Sequence, residues 1–411
     1  MNSIDIRHFV DINIINKKAS SQVSSTRETV ALFTLDDKFA PDDGNVGYAE
    51  YSSLEEIEAV PGFISSGETS DKNKDIYKYA KVFFDNGGVK LRLINPNFGR
   101  VGTALEEISY SDVLPFVKAL PNEIIIVGVV NATITNNIKT MVALANEYNH
   151  SVIDGFNVYG INEKYFIAND LYTATTSSIT YTKQTTDDTT VNLSDVKNVA
   201  IKMIDQTNQV GGEMTIAAYL SQIDVYETNA VKDYQFTQEV ITSFNISNMN
   251  SYVSHAMTAH KNITIDINGI NRNIGGDLTT GEDLVNKYVL IILHQTLSQR
   301  VFEVLSQKLK GNDAITAIYA AMARELNRYL TSGYLTTDKT WTNENLTIVK
   351  NNTTYTLITK GTALVQGYKI TILPYASLTQ AEINQHKVPY IYVVLADSYN
   401  IRKATIYGEV I

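Results

Sequence analysis

Between Thr280 and Gly333 the apolar positions fall at helical spacing twice over. Val285, Tyr288, Val289, Ile292, Leu293, Leu297, Val301, Val304 and Leu305 make one stripe, and Ile315, Ile318, Tyr319, Met322, Leu326 and Leu330 make a second. Thr280 with Asp283 three residues on has the form of a capping box. Gly311 suits the left-handed turn that ends a helix, and Asn312 and Asp313 can cap the restart. The spacing predicts a helical hairpin over 281–332, buried along one side.

Elsewhere the period is mostly two. Ile4, Ile6, Val10, Ile12 and Ile14 alternate with polar residues as a good strand does, yet the polar stretch Asn16–Arg27 offers no turn for a neighbouring partner. Its pairing must come from a distant part of the chain or from another chain. Thr29–Leu35 reads as a buried strand, Ser52 and Glu55 begin a helix, and a second helix runs from Ser70 to Asn86 until Gly87-Gly88 stops it. Strand Val89–Ile94, helix Ser109–Leu120, strand Glu123–Val130, helix Thr135–Asn149 and strand Ser151–Tyr159 follow, a βα succession that favours an α/β core.

Ala168–Asn192, rich in Thr, Ser, Asp and Tyr, reads as an exposed hairpin or loop insertion. A helix is expected over Ser194–Gln209, and strands Asn262–Ile267 and Ile270–Ile274 flank a turn at Asn268-Gly269. After Gly333 the pattern turns to β at Leu346–Val349, Tyr355–Thr359 and Tyr368–Leu373, with Asn351-Asn352 as a tight turn. A short helix fits Leu378–His386, Tyr390–Leu395 is a strand, and Ile401–Ile411 alternates again through Ile401, Ala404, Ile406 and Val410. The expected fold class is α/β (mixed α+β), with a mixed sheet flanked by helices, the long hairpin, and extended β arms at both ends. The expected organisation is an N-terminal arm at 1–27, an α/β domain at 28–260 with an insertion near 168–192, a C-terminal core domain at 261–400, and a C-terminal arm at 401–411.

Composition removes function classes. A net charge of -10 argues against a general nucleic-acid binder, which needs a basic face to displace counterions from phosphate. No run approaches the roughly 20 apolar residues that span a bilayer, so no membrane insertion is expected. With no cysteine in 411 residues, disulfides, thiolate catalysis and cysteine metal sites are excluded together. The six histidines, His8, His150, His255, His260, His294 and His386, are scattered without an aligned acidic neighbour, so packing or solvent explains them more simply than ligation. Asp266-Ile-Asn268-Gly-Ile-Asn271 carries oxygen ligands at short spacing but lacks the later glutamate of an EF-hand loop, and a turn is the simpler account. The acidic cluster Asp36, Asp37, Asp42, Asp43 has the character of a solvated loop. No nucleotide or hydrolase motif is present. Catalytic, cofactor and metal residues are therefore expected to be none. The 25 tyrosines beside a single Trp suit large contact surfaces.

Tyr79-Ala-Lys-Val-Phe-Phe-Asp-Asn-Gly-Gly-Val-Lys-Leu-Arg-Leu-Ile94 resembles the early segment of bacteriophage contractile-tail sheath proteins. Thr279–Leu335, with Gly311-Asn-Asp-Ala-Ile-Thr-Ala-Ile318 and Ser332-Gly-Tyr-Leu335, is similar to a divergent sheath-like branch. Ala381–Lys387, Val388-Pro-Tyr-Ile and Ile401–Val410 resemble the last helix, strand and arm of that branch. The resemblance covers most of the chain after residue 70. It implies a structural virion protein of the tail, assembled in the host bacterial cytoplasm, that stacks in hexameric rings around a tail tube between baseplate and tail terminator proteins and contracts to drive genome ejection. A phage-derived injection particle would share that mechanism. The resemblance also implies that Ile4, Ile6, Val10, Ile12 and Ile14, and Ile401, Ala404, Ile406 and Val410, add strands to neighbouring subunits. A tail tube or baseplate component is the alternative, and an α/β enzyme a more distant one.

Overall fold

Val30–Phe33, four apolar residues with fully buried side chains, form β1 inside an eight-stranded sheet. The computed structural model describes residues 30–398 apart from 36–46, 61–70, 98–103, 122–123, 132, 155–162, 184–186, 206–208, 226–233, 242–248, 308, 310 and 397. The described residues fall into two units, one drawn from 25–223 and 233–288, the other from 224–232 and 289–411.

The first unit is α/β. Its elements are β1, β2 (Tyr48–Tyr51), α1 (Leu54–Glu58), α2 (Asp71–Asp85), β3 (Leu91–Ile94), α3 (Tyr110–Ala119), β4 (Ile126–Val129), α4 (Ile134–Asp154), β5 (Tyr165–Leu171), β6 (Ser178–Thr182), β7 (Asp188–Asn192), β8 (Val199–Ile204), α5 (Met214–Ser221), α6 (Met249–Thr258), β9 (Asn262–Ile267) and β10 (Ile270–Ile274). The sheet order is β10-β9-β8-β5-β4-β1-β3-β2. All neighbours from β9 to β3 run parallel, and the edges β10 and β2 are antiparallel. Parallel strands covered on both faces read as continuous apolar runs, which is why β1, β4 and β8 carry so little alternation. On one face Phe33, Val129, Phe166, Ala168 and Ile201 pack with Val113 and Val117 of α3 and Met141, Leu144 and Tyr148 of α4.

Three expectations fail here. The helix expected at Ser194–Gln209 is a single 3-10 turn, Leu193–Asp195, followed by β8. Asn198 between them takes a left-handed conformation that breaks any helix. Where a strand was expected over Ser151–Tyr159, residues 151–154 are the end of α4, 155–159 lie outside the described residues, and the next described strand is β5, starting at Tyr165. Ala168–Leu171, expected in the exposed insertion, ends β5 at the sheet centre. In β8 and at the end of β5 a short segment took the conformation its neighbours could bury, overriding local preference. The remainder of the insertion is the expected hairpin. In β6–β7, Ile179 and Val191 pack on the core while Thr180 and Thr190 bond each other on the exposed side at 2.8 Å.

The second unit holds α7 (Leu284–Leu305), which the division between units crosses, then α8 (Gly311–Thr331), β11 (Leu346–Lys350), β12 (Thr353–Ile358), β13 (Tyr368–Ile372), α9 (Gln380–Asn384) and β14 (Ile391–Leu395). The helical hairpin forms as the stripes predict, with Val289, Leu293, Leu297, Val301, Ile318, Met322 and Leu326 buried. Its cap is Asp283, whose Oδ1 accepts from the Asn286 N–H at 2.8 Å, whereas the Thr280 hydroxyl bonds Glu282. Such a cap contributes about 1 kcal/mol. Arg300 of α7 joins the buried Glu325 of α8 at 3.1 Å and so fixes the pairing of the two helices. Tyr319, expected in the stripe, is 42% exposed.

Both tight turns form as expected. Asn268 and Gly269 have φ of 56° and 80°, and Asn351 and Asn352 have 50° and 60°. Positive φ at both central positions is the hairpin turn that matches strand twist, which is why Asn and Gly occupy it.

Candidate functional site

Two buried carboxylates lie over neighbouring positions of the sheet face opposite α3 and α4. Asn169 on β5 and Lys202 on β8 are register partners. The Lys202 Nζ donates to both oxygens of Glu239 at 2.8 and 2.7 Å and to Asn273 Oδ1 at 2.9 Å. Tyr234 and Thr264 donate to the same carboxylate, and Tyr234 Oη meets Thr215 Oγ1 of α5 at 2.9 Å. Burial pushes the Lys202 ammonium down while Glu239 opposes the shift. Beside it, Glu213 at the start of α5 accepts from Asn169 Nδ2 at 2.7 Å and, more distantly, from Asn137 Nδ2 at 3.5 Å. Burial raises the Glu213 carboxyl to about 7. A further pair, Lys261 with Asp170 at 2.8 Å, is also enclosed.

These groups do not make a reaction centre. Lys202, Glu239, Glu213 and Lys261 are each less than 5% exposed, so none reaches a substrate. Among the described residues no three His, Cys, Asp or Glu side chains gather as a metal site, and no helix is long and apolar enough to cross a membrane. His255 Nε2 lies 3.1 Å from the Ala174 carbonyl, and His260 Nδ1 lies 3.1 Å from Asp277. Asp266 Oδ1 accepts from the Gly269 N–H at 2.9 Å, a turn bond within the β9–β10 hairpin.

The outward-facing candidate is the β13–β14 ladder. Among the described residues these two strands pair only with each other. The run Ile391-Tyr-Val-Val-Leu395 is as apolar as a central strand, yet each of its residues is only half-buried. Leu373 N–H donates to the Tyr390 carbonyl at 3.0 Å and Ala396 N–H to the Gly367 carbonyl at 2.8 Å. Alternation between those two bonds turns the N–H groups of Tyr392 and Val394 toward β13 and those of Ile391, Val393 and Leu395 toward the outer edge. An apolar strand with a free row of donors and acceptors is a template for another strand. Beside it, Ile315, Thr316 and Tyr319 of α8 and Ile370–Ile372 of β13 line a shallow recess of about 440 Å³. This accounts for the exposure of Tyr319.

α9 sits close in sequence and is built as a structural cap. Thr379 and Glu382 form a reciprocal capping box, with Thr379 N–H to Glu382 Oε2 at 2.8 Å and Glu382 N–H to Thr379 Oγ1 at 3.2 Å. Glu382 also pairs with Lys350 at 2.9 Å. The backbone donor at Thr379 and then Lys350 hold its carboxyl down to about 2.

No family model and no curated protein matches the sequence. Solved structures do. A chain of the 6-fold symmetrised anti-feeding prophage baseplate is similar at a TM-score of 0.58 and 14% identity, over 96% of this chain and 97% of that one. A chain of the anti-feeding prophage helical sheath in its contracted state is similar at 0.57 and 11%, with the same coverage. A chain of the contracted anti-feeding prophage baseplate follows at 0.56 and 12%, again over 96% and 97%. The chain has the contractile-sheath fold.

The residues predicted from the sequence and the buried groups of the interior do not coincide. Ile4, Ile6, Val10, Ile12, Ile14, Ile401, Ala404, Ile406 and Val410 all lie outside the described residues, as do His8 and the acidic cluster at Asp36, Asp37, Asp42 and Asp43. Lys202 was hidden by the helical reading of its segment. Its signal was a lone lysine within Val199-Ala-Ile-Lys-Met-Ile204, which in a strand buried on both faces demands an acidic partner. Glu239 and Glu213 carry no comparable sequence signal, because their burial depends on segments far away along the chain.

Proposed function

We propose that this protein is the subunit of a contractile tail sheath, a structural component that polymerises around a tail tube and contracts without hydrolysing nucleotide. The observation that carries this reading is the open apolar edge of β14 in a chain whose two ends alternate as strands. Residues 1–15 and 401–411 of a second copy are the proposed occupants, with Ile4, Ile6, Val10, Ile12, Ile14, Ile401, Ala404, Ile406 and Val410 as their strand residues. The fold likeness to chains of a helical sheath and a baseplate supports the same role, and the 6-fold symmetry of that baseplate supports hexameric rings. On this reading the chain belongs to the tail of a particle assembled in a bacterial cytoplasm, and its partners are other copies of itself, the tube, the baseplate and the terminator. The interlocked arms keep subunits joined while the bodies slide. The proposed layout is an arm at 1–27, bodies at 28–260 and 261–400, and an arm at 401–411. The sealed interior of the α/β unit counts against an enzyme, and the long α7–α8 hairpin counts against a tube protein.

The test is negative-stain electron microscopy of the full chain, alone and with tube protein. Hollow cylinders of regular diameter are expected. Val393→Pro removes an outward N–H and leaves the bonds to β13 in place, so it is expected to give folded monomers and no cylinders. Compact monomers of the unaltered chain even with tube protein present would sink the assignment.

A further inference from the structure

The two buried carboxylates on the sheet face are treated differently by their surroundings. Glu239 faces a lysine. Glu213 faces two amides and a phenol, with no cation among the groups acting on it. Its neighbours come from four elements: Asn137 on α4, Asn169 on β5, Tyr79 on α2 and its own α5. The next charges are Lys202, Glu239 and Tyr234 over the adjacent strand position, already bonded to one another, and Asp75, which acts on Tyr79. Burying a carboxylate without a cation costs several kcal/mol, and a group in that position takes up a proton instead.

The hydrogen bonds leave a specific vacancy for that proton. Asn169 Nδ2 donates to Glu213 Oε1 at 2.7 Å and more weakly to Tyr79 Oη at 3.3 Å. The other oxygen of each partner, Glu213 Oε2 and Asn169 Oδ1, is buried with no hydrogen-bond partner. Both are acceptors, so as a carboxylate facing an amide they cannot satisfy each other. One proton on Oε2 supplies a donor for Oδ1 and resolves both orphans at once. Asn137 holds the amide in place, its Oδ1 accepting from the Asn169 N–H at 3.1 Å and its Nδ2 donating to the Val129 carbonyl at 2.7 Å.

We propose that Glu213 is a proton-binding site built into the α/β unit, closing on Asn169 as a neutral acid in a cyclic amide–acid pair. Proton loss would leave a charged carboxylate without a cation at the start of α5, between β5, α2 and α4, and loosen that junction. The sign of the effect follows from the folded carboxyl titrating near 7 against an ordinary 4.5. The folded state holds one extra proton between those values, so stability is fully present below about 4.5, falls as pH rises toward 7, and levels off above it.

The experiment compares thermal and denaturant unfolding of the full chain and Glu213→Gln from pH 4.5 to 8.5. Glutamine carries the donor permanently. The two proteins should coincide at the acid end, and the folding equilibrium of the parent should then fall relative to the variant by about tenfold per pH unit until it levels near 7. A difference that does not depend on pH would overturn the proposal. So would one that follows potassium or sodium concentration, which would place a cation between the two acceptors. Infrared spectroscopy of the unaltered chain decides the matter even if the variant fails to fold. A protonated-carboxyl carbonyl band should be present at pH 6 and lost by pH 8.5, and its absence at pH 6 would refute the idea. None of these outcomes depends on the assembly reading.

Discussion

Removal of residues 1–15, or of 401–411, is expected to abolish polymerisation while leaving the unfolding temperature of the body nearly unchanged. The path by which the chain leaves β14 carries it away from that strand. Ala396 accepts from the Thr336 N–H at 2.8 Å, and Ser398 donates its N–H to the Tyr334 carbonyl at 3.1 Å. The Ser398 hydroxyl holds the Gly333 carbonyl as well. These bonds commit the backbone after β14 to run beside Gly333–Thr336 and not to turn straight back along β14. Eleven extended residues then reach about 35 Å and fifteen about 50 Å, enough to cross to another subunit. Each truncation removes one proposed strand and none of the described buried residues, so its effect should be on assembly. Sedimentation velocity and electron microscopy, with and without tube protein, read the result. Long cylinders from either truncated protein would show that arm exchange is not what joins the subunits.

Lys202→Met is expected to be among the most destabilising single substitutions in the α/β unit, at about 3–5 kcal/mol, because it leaves the Glu239 carboxylate buried with its counter-charge gone. In a unit of this size that lowers the unfolding temperature by on the order of 10 °C. The loss should shrink in acid, where the stranded carboxyl takes up a proton. Adding Glu239→Gln removes the stranded charge but leaves Tyr234 and Thr264 facing an amide, so partial recovery is expected. The double mutant thus separates the cost of the lone charge from the worth of the pair. If Lys202→Met costs less than about 1 kcal/mol, water reaches the pair and the sealed-core description fails. That result would also weaken the argument against an enzyme, which rests on these groups being out of reach.

The hairpin at 281–332 was legible because both helices are long, α8 is strongly periodic, and Gly311 and Gly333 punctuate the run, whereas α7 is apolar enough to be buried on nearly every side. Over some twenty residues the burial of one stripe outweighs any local ambiguity. The turns at Asn268-Gly269 and Asn351-Asn352 were legible because positive φ is tolerated by few residue types. By contrast, β8 was read as a helix because five apolar residues and one lysine, buried on both faces, carry no period of their own, and Ser194 imitates a cap. Only contact with β5 on one side and β9 on the other makes Val199–Ile204 a strand.

The same division separates the two candidate sites. By itself the sequence determined a cysteine-free α/β chain with no nucleotide-binding motif, a buried helical hairpin, and an alternating apolar pattern near both ends, because composition and period are local properties. Tertiary structure decided that β14 is an apolar strand with one edge unpaired among the described residues, that Tyr319 lines a recess beside β13, and that Lys202 finds Glu239 while Glu213 finds two amides and a phenol. Burial, and with it the charge state of a carboxyl, is set by residues tens of positions away in the chain, and no local pattern records them.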